Sequence, residues 1–167
     1  MKKQLIAFLS CVALSFLGTA QVNPHAIGIR GVSGNFGSGA EISYQHGLGS
    51  ANRLEVDLGW RRHYVKGHNH YHGHSALSVI YHWVWNIEGG LNWFAGLGGQ
   101  VGFYNYNEYY NEDGITLGLG GQIGIEYDFN DLGAPIQLGL DARPMWGFIG
   151  GTSGIGYGGA FSLRYTF

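Results

Sequence analysis

Cysteine, charge and proline are all scarce in this sequence of 167 residues. Its single cysteine, Cys11, lies in an apolar N-terminal segment, so the rest of the chain has neither disulfides nor thiol chemistry. Charged residues make up only 12%, and the formal net charge of -2 provides no basic field for binding nucleic acid. Three prolines and few Lys, Glu or Ser residues argue against a disordered chain. We therefore expect an ordered protein that does not bind nucleic acid.

The N-terminal segment has the three parts of a secretory signal peptide. Residues 1–3 are positively charged, residues 5–17 form an apolar run, and Gly18, Thr19 and Ala20 are the small residues of a cleavage site. A lipoprotein signal would need small residues just before Cys11, where bulky ones stand. The sequence therefore predicts a cleaved signal peptide over residues 1–20 and one domain over residues 21–167.

After the signal peptide there is no run of about 18 apolar residues, which excludes a transmembrane helix but not a transmembrane barrel. Residues 54–61 alternate strictly between apolar and polar or small side chains, which is the period of a strand with two different faces. The same pattern predicts eight strands over residues 26–33, 39–48, 54–61, 75–87, 93–106, 115–129, 136–148 and 155–167. Eight is the smallest common strand number of a membrane barrel. We predict an all-β, eight-stranded antiparallel up-and-down transmembrane β-barrel.

Glycine and aromatic residues are abundant and decide which face of the barrel meets lipid. A soluble barrel of the lipocalin type would show the same alternation with its apolar face inside. Here the apolar face carries too many aromatic rings for so narrow an interior, and the opposite face is rich in glycine. The aromatics lie near the predicted strand ends with aliphatic residues between them, as in the two girdles of a membrane barrel. We therefore expect the apolar face to point outward.

Two long polar connections follow the third and fifth predicted strands, and short turns lie at the other end. The first connection contains histidines that would share one side of an extended loop, and imidazoles are ligands for Zn, Cu or Ni ions. The candidate metal ligands are His68, His70, His72 and His74, against the alternative of a solvated loop that binds metals only weakly. The second connection offers Glu108, Glu112 and Asp113 for calcium, without the spacing of a known calcium loop. No cofactor is expected.

The polar face collects charged residues of both signs. An eight-stranded barrel is filled by its own side chains, so these groups should meet as ion pairs. We expect three layers, each with acid and base: Glu55, Glu126 and Arg164 low; Arg30, Asp57 and Asp141 in the middle; Glu41, Arg61 and Arg143 above.

The final strand ends on an aromatic residue, with apolar side chains at every second position before it: Phe161, Leu163, Tyr165 and Phe167. This strand resembles the C-terminal signal recognised by the barrel-assembly machinery, and the chain from residue 21 is similar in size and plan to the OmpA/OmpX-type small outer-membrane barrels. The resemblance implies an integral protein of the Gram-negative outer membrane, in contact with membrane lipids and lipopolysaccharide, often without catalytic activity.

The sequence favours a non-enzymatic, monomeric barrel whose exposed loops serve envelope stability or surface contacts with an unidentified ligand. A small pore or transport protein is the second hypothesis, and a lipid A-modifying enzyme is the third. The candidate residues for such an enzyme are His74, Ser75, Ser78 and His82. Alternation directs three of them into the lumen and Ser75 outward, which favours ordinary lumen-lining residues.

Overall fold

Antiparallel hairpins follow one another around a closed barrel in the computed structural model. It describes residues 22–35, 37–64, 71–104, 114–149 and 154–167, with the backbone alone at 63, 64, 71, 72, 104 and 149. The histidine-rich connection, the candidate calcium loop and the predicted signal peptide therefore lie wholly or largely outside the described residues. No helix among the described residues is long and apolar enough to cross a membrane.

The strand segments run in chain order: β1 His25–Gly34, β2 Gly37–Gly47, β3 Asn52–Tyr64, β4 Tyr71–Glu88, β5 Leu91–Tyr104, β6 Gly114–Asp128, β7 Ile136–Ala142, β8 Met145–Ile149, β9 Gly154–Gly156 and β10 Gly158–Thr166. Segments β7 and β8 form the seventh strand of the barrel, and β9 and β10 form the eighth. The seventh strand is interrupted at Arg143 and Pro144, because proline has no N–H to donate to the neighbouring strand.

The barrel closes through two pairings. The first strand pairs with the last, from Ala26 opposite Thr166 to Gly34 opposite Gly158. Strand β5 pairs with β6 over its full length, which joins the two halves of the sheet. The predicted eight-stranded antiparallel barrel is confirmed, and closure provides every strand with hydrogen-bonding neighbours on both sides.

Strand boundaries differ from the predicted ones in two places that matter for the site. Strand β3 begins at Asn52, two residues earlier than predicted, and β4 begins at Tyr71, four residues earlier. The cause is cross-strand pairing, which continues from Asn52 opposite Trp83 to Tyr64 opposite Tyr71. Arg53 therefore belongs to the strand, and His72 and His74 lie in β4 instead of the loop.

One end of the barrel, which we call the lower end, holds Val22, Phe167 and three connections. Gly89 adopts a positive φ of 52° in the turn between β4 and β5, a conformation that glycine accepts without strain. The connection from β6 to β7 contains a short 3-10 helix, Asn130–Leu132. At the upper end, β1 and β2 are joined across residues 35 and 36, so this connection is as short as the lower turns.

The outer surface of the barrel is apolar. Its middle carries exposed aliphatic side chains such as Leu97 and Leu119, which are 63% and 61% exposed. Exposed aromatics lie toward the upper end at Trp60, Phe103, Trp146, Phe148 and Tyr157, and toward the lower end at Trp83, Tyr165 and Phe167. Most of the fully buried large side chains are instead polar or charged. The barrel is thus apolar outside and polar inside, the reverse of a soluble domain.

Candidate functional site: the ion-paired lumen

Ten ionised side chains point into the barrel and lie within ion-pairing distance of one another. They come from six strands and from the interruption between β7 and β8. They are the five arginines Arg30, Arg53, Arg61, Arg143 and Arg164 and the five acids Glu41, Glu55, Asp57, Glu126 and Asp141. All are buried or close to it, and their formal charges cancel. A charge confined in this way is costly unless it is paired, so the balance of signs is a condition for closing the barrel.

Glu41 is the hydrogen-bond acceptor that connects the arginines in the upper part of this network. Its two carboxylate oxygens accept hydrogen bonds from Arg30 and Arg61 on the neighbouring strands β1 and β3. Arg30 also donates to Asp141 across the barrel at 2.6 Å, and its guanidinium lies 3.5 Å from Asp57. One arginine thereby links three carboxylates that come from three different strands.

Glu55 is the centre of the network and is fully buried. One of its oxygens accepts hydrogen bonds from Arg164 at 2.8 Å and from Gln45 at 2.7 Å. The other accepts from Arg143 at 3.0 Å and from Gln122 at 3.1 Å. Four donors on four strand segments or their connections therefore converge on a single carboxylate, and charge-assisted bonds of this kind are the strongest hydrogen bonds in proteins.

Arg53 forms a separate, two-bonded pair with Glu126. The two guanidinium nitrogens lie 2.7 and 2.6 Å from the two carboxylate oxygens, which is the planar geometry that arginine matches best. The same guanidinium stands 4.9 Å above the ring of Phe94 and donates to His82 at 3.3 Å. Arg53 was absent from the set predicted from the sequence. Arg53 lies two residues before Glu55 and therefore points to the same face of the strand. A predicted strand that began at Asn52 would have included it.

The predicted separation into three layers is not what the structure shows. Arg143, expected above, donates to Glu55, expected below, and to Asp57 between them. Arginine side chains are long enough to span neighbouring levels, and strands tilted by roughly 35–45° place equal strand positions at unequal heights. The groups form one connected network.

Apolar side chains and glycines share the inner face with the charged residues. Ile80, Val84 and Phe94 are buried on the inner face, which the sequence analysis described as charged and rich in glycine. A side chain at Gly124 would bring its Cβ to 2.6 Å from the Phe94 ring, so glycine there provides the space that the ring occupies. The glycine-rich inner face thus makes room for large side chains.

The residues considered for catalysis have other partners. Ser78 donates a hydrogen bond to Gln100 at 3.2 Å, and His82 lies between Arg53 and Gln122. Both are fully buried, and His74 is also buried in the barrel, whereas Ser75 lies on the outer face. These contacts do not bring a nucleophile to a base, which a hydrolytic site requires.

The predicted histidine site is only partly covered. His68 and His70 lie outside the described residues, and at His72 only the backbone is described. His74 points into the lumen, which separates it from a solvent-facing loop. Within the described part of the chain, no three His, Cys, Asp or Glu side chains lie close enough together to hold a metal ion. Metal binding by the loop stays a prediction.

No known family and no curated protein matches the sequence. Among solved structures, the chain is similar to the N-terminal β-barrel domain of Pseudomonas aeruginosa OprF, with a TM-score of 0.60 and 17% sequence identity, covering 86% of this chain and 96% of that one. It is also similar to Neisserial surface protein A, with a TM-score of 0.56 and 16% identity, covering 86% of this chain and 95% of that one. The chain has the fold of the OmpA-type small barrels. At these identities the likeness is one of fold.

Within this small-barrel fold, the residues before β1 cross the lower mouth. Val22 is partly buried against Val84 and Phe94, which come from strands on the other side of the lumen. Its backbone N–H donates to the carbonyl of Ser50 in the β2–β3 turn at 3.0 Å. We call residues 22–24 the N-terminal strap.

Polar contacts fasten the strap to the opposite wall. Asn23 donates to the carboxylate of Asp128 at 2.5 Å and accepts from Asn130 at 3.1 Å. Asn130 in turn donates to the hydroxyl of Thr166 at 2.9 Å, at the end of the last strand. The strap therefore reaches from the β2–β3 turn to the β6–β7 connection. It covers the buried side chains of Val84 and Phe94, which we call the apolar floor of the lumen.

Loosening the strap is expected to expose this floor. In a Cys11→Ser background, a thiol placed by Val84→Cys should react slowly with a membrane-impermeant maleimide, because Val84 is only 1% exposed. Adding Val22→Asp and Asn23→Ala should raise the labelling rate at least about tenfold, since local opening governs access to buried groups. Glu88→Cys at the exposed end of β4 is the control and should label equally fast in both backgrounds. Equal labelling of Val84→Cys with and without the strap substitutions would show that the strap does not seal the mouth.

The C-terminal strand places its predicted assembly signal on the outside of the barrel. Phe161, Leu163, Tyr165 and Phe167 are all exposed on the outer face, and Ser162 and Arg164 between them are buried inside. Recognition of this strand during assembly stays a prediction.

Proposed function

We propose that the chain is a non-enzymatic outer-membrane barrel that anchors its upper loops at the cell surface through a closed, ion-paired lumen. The likeness of fold to two outer-membrane proteins supports the location, as does the apolar outer surface with aromatics toward both ends. In this arrangement the lower end faces the periplasm, and the outer membrane lipids and lipopolysaccharide surround the apolar surface. The protein acts as a monomer in envelope stability or in surface contacts.

The single observation that carries the proposal is the pairing of five guanidinium groups with five carboxylates across the lumen. Charged groups that line a water-filled pore point into solvent, whereas these are buried against one another. An eight-stranded barrel is only wide enough to be filled by its own side chains. The network therefore acts as a plug, and the small-pore hypothesis is the one that the geometry disfavours.

Planar-bilayer recording of the refolded protein tests the plug. We expect no stable open conductance for the unmodified chain. The triple variant Glu55→Ala, Arg143→Ala, Arg164→Ala removes the centre of the network while lowering the net charge by one, and it should show brief channel openings if it folds. Infrared or circular-dichroism spectra of the reconstituted variant establish that the barrel has formed. A large, stable conductance of the unmodified protein would refute a closed lumen and favour the pore.

A further inference from the structure

Two histidines face each other across β1 and β2 at the lower rim, away from the lumen network. His25 and His46 are directly paired in the strand register, and their side chains share the outer face. Their Nδ1 atoms lie 3.4 Å apart, and their rings are 5.1 Å apart between centroids. The two residues are 21 positions apart in the chain, so only the fold brings them together.

A third polar atom lies beside His25. The hydroxyl of Tyr44, also on β2, lies 2.8 Å from His25 Nδ1. A ring nitrogen carries either one proton or one lone pair, so His25 Nδ1 satisfies one of these two contacts with a good hydrogen bond, and not both. Tyr44 and His46 therefore compete for the same ring nitrogen of His25.

A contact with the last residue of the C-terminal strand also holds the ring of His25. Phe167 stacks on it with centroids 5.3 Å apart and planes inclined by 25°. The two residues also exchange both backbone hydrogen bonds, at 3.1 and 2.9 Å, where the first strand meets the last. His25 is half-buried by these contacts, while His46 is exposed and accessible from the surface. One imidazole is therefore preorganised and the other is free to adjust.

The spacing of the nitrogens matches a tetrahedral zinc ion. With Zn–N bonds of about 2.0–2.1 Å, two ligands at a tetrahedral angle lie about 3.3–3.4 Å apart, whereas adjacent ligands in a square plane lie about 2.9 Å apart. We propose that His25 and His46 form a Zn²⁺ site at the lower rim, with the two Nδ1 atoms as ligands and water in the remaining positions. The hydroxyl of Tyr44 lies only 2.8 Å from His25 Nδ1, too close for a third tetrahedral ligand, and in the zinc-bound form it hydrogen-bonds to a coordinated water. The metal would join β1 to β2 beside the seam where the barrel closes.

Zinc titration of the full chain, folded in detergent and competed with a chromophoric chelator, tests the site. His68→Ala, His70→Ala and His72→Ala are combined first, so that the loop contributes nothing. We expect this variant to bind one Zn²⁺ with a dissociation constant on the order of micromolar. Adding His46→Gln should weaken binding at least tenfold, and adding His63→Gln, which removes an imidazole near the upper end of β3, should leave it unchanged.

Two more measurements separate a real site from loss of folding. Tyr44→Phe keeps both imidazoles and should weaken binding about three- to tenfold. Zinc at 100 times its dissociation constant should lower the unfolding equilibrium constant about 100-fold, and this shift should vanish in His46→Gln. Loss of all binding in the triple loop variant, or binding unaffected by His46→Gln, would overturn the proposal. It does not depend on the closed lumen, so either hypothesis can fail without the other.

Discussion

Replacing Glu55 with glutamine is expected to destabilise the barrel by about 3–5 kcal/mol, the usual cost of removing one partner from a buried ion pair. Glutamine has nearly the same shape, so the loss isolates the charge. Among the described residues Arg164 forms an ion pair with no carboxylate except Glu55, and Arg143 would keep Asp57 and Glu41 as partners. The uncompensated guanidinium of Arg164 is thus the main cause of the expected effect. Urea unfolding in lipid vesicles measures it.

Two matched variants make this result interpretable. Glu88→Gln removes an acid from the exposed end of β4 and should change the free energy of unfolding by less than about 0.5 kcal/mol. Arg164→Gln combined with Glu55→Gln should cost less than the sum of the two single substitutions, because the double variant leaves neither charge without its partner. A loss below 1 kcal/mol for Glu55→Gln alone would mean that water solvates the lumen, and the plug would have to be abandoned.

The architecture was predictable because alternation is a strong signal where one face is charged. Over residues 54–61 of β3, Glu55, Asp57 and Arg61 take every inward position that glycine does not, and the outward positions are apolar. Only one register keeps the charged side chains of such a strand inside the barrel, since a slip of one residue would place them on the outer face. The same argument identified nine of the ten ionised groups in the lumen, and the boundary of β3 accounts for the tenth, Arg53.

The apolar floor of the lumen was harder to predict. From Val79 to Trp85 strand β4 is largely apolar on both faces, so composition does not distinguish the faces there. The inward direction of Ile80 and Val84 follows from the phase of Ser78 and His82 and from the register with β3 and β5. Which charges pair is likewise undetermined by the strand pattern. It depends on side-chain length and strand tilt, which connect Arg143 with residues expected one and two layers away.

The histidine pair illustrates the same limit. Clustering along the sequence directed attention to His68, His70 and His72. His25 and His46 are far apart in the chain and carry no local motif, yet the register of β1 with β2 places their nitrogens 3.4 Å apart. The contact between His25 and His46 becomes predictable only when both strands and the turn between them are assigned, because a shift of one residue would place the two side chains on opposite faces.

Replacing Phe167 with aspartate is expected to abolish accumulation of the folded barrel in cells while leaving folding in detergent largely intact. Phe167 lies on the outer face at the lower rim, and a charged substitution on the lipid side near the membrane interface costs only about 0–1 kcal/mol, so the finished barrel should tolerate aspartate there. A large effect in cells would therefore come from loss of recognition during assembly, as the C-terminal aromatic pattern implies. Phe129→Asp is the matched control, because it changes a partly buried aromatic at the same end outside the last strand, and it should accumulate far better than Phe167→Asp. Membrane fractionation measures accumulation, and the heat-dependent shift in gel mobility of refolded protein measures folding. Normal accumulation of Phe167→Asp, or an equal loss for Phe129→Asp, would show that the terminal residue is not an assembly signal.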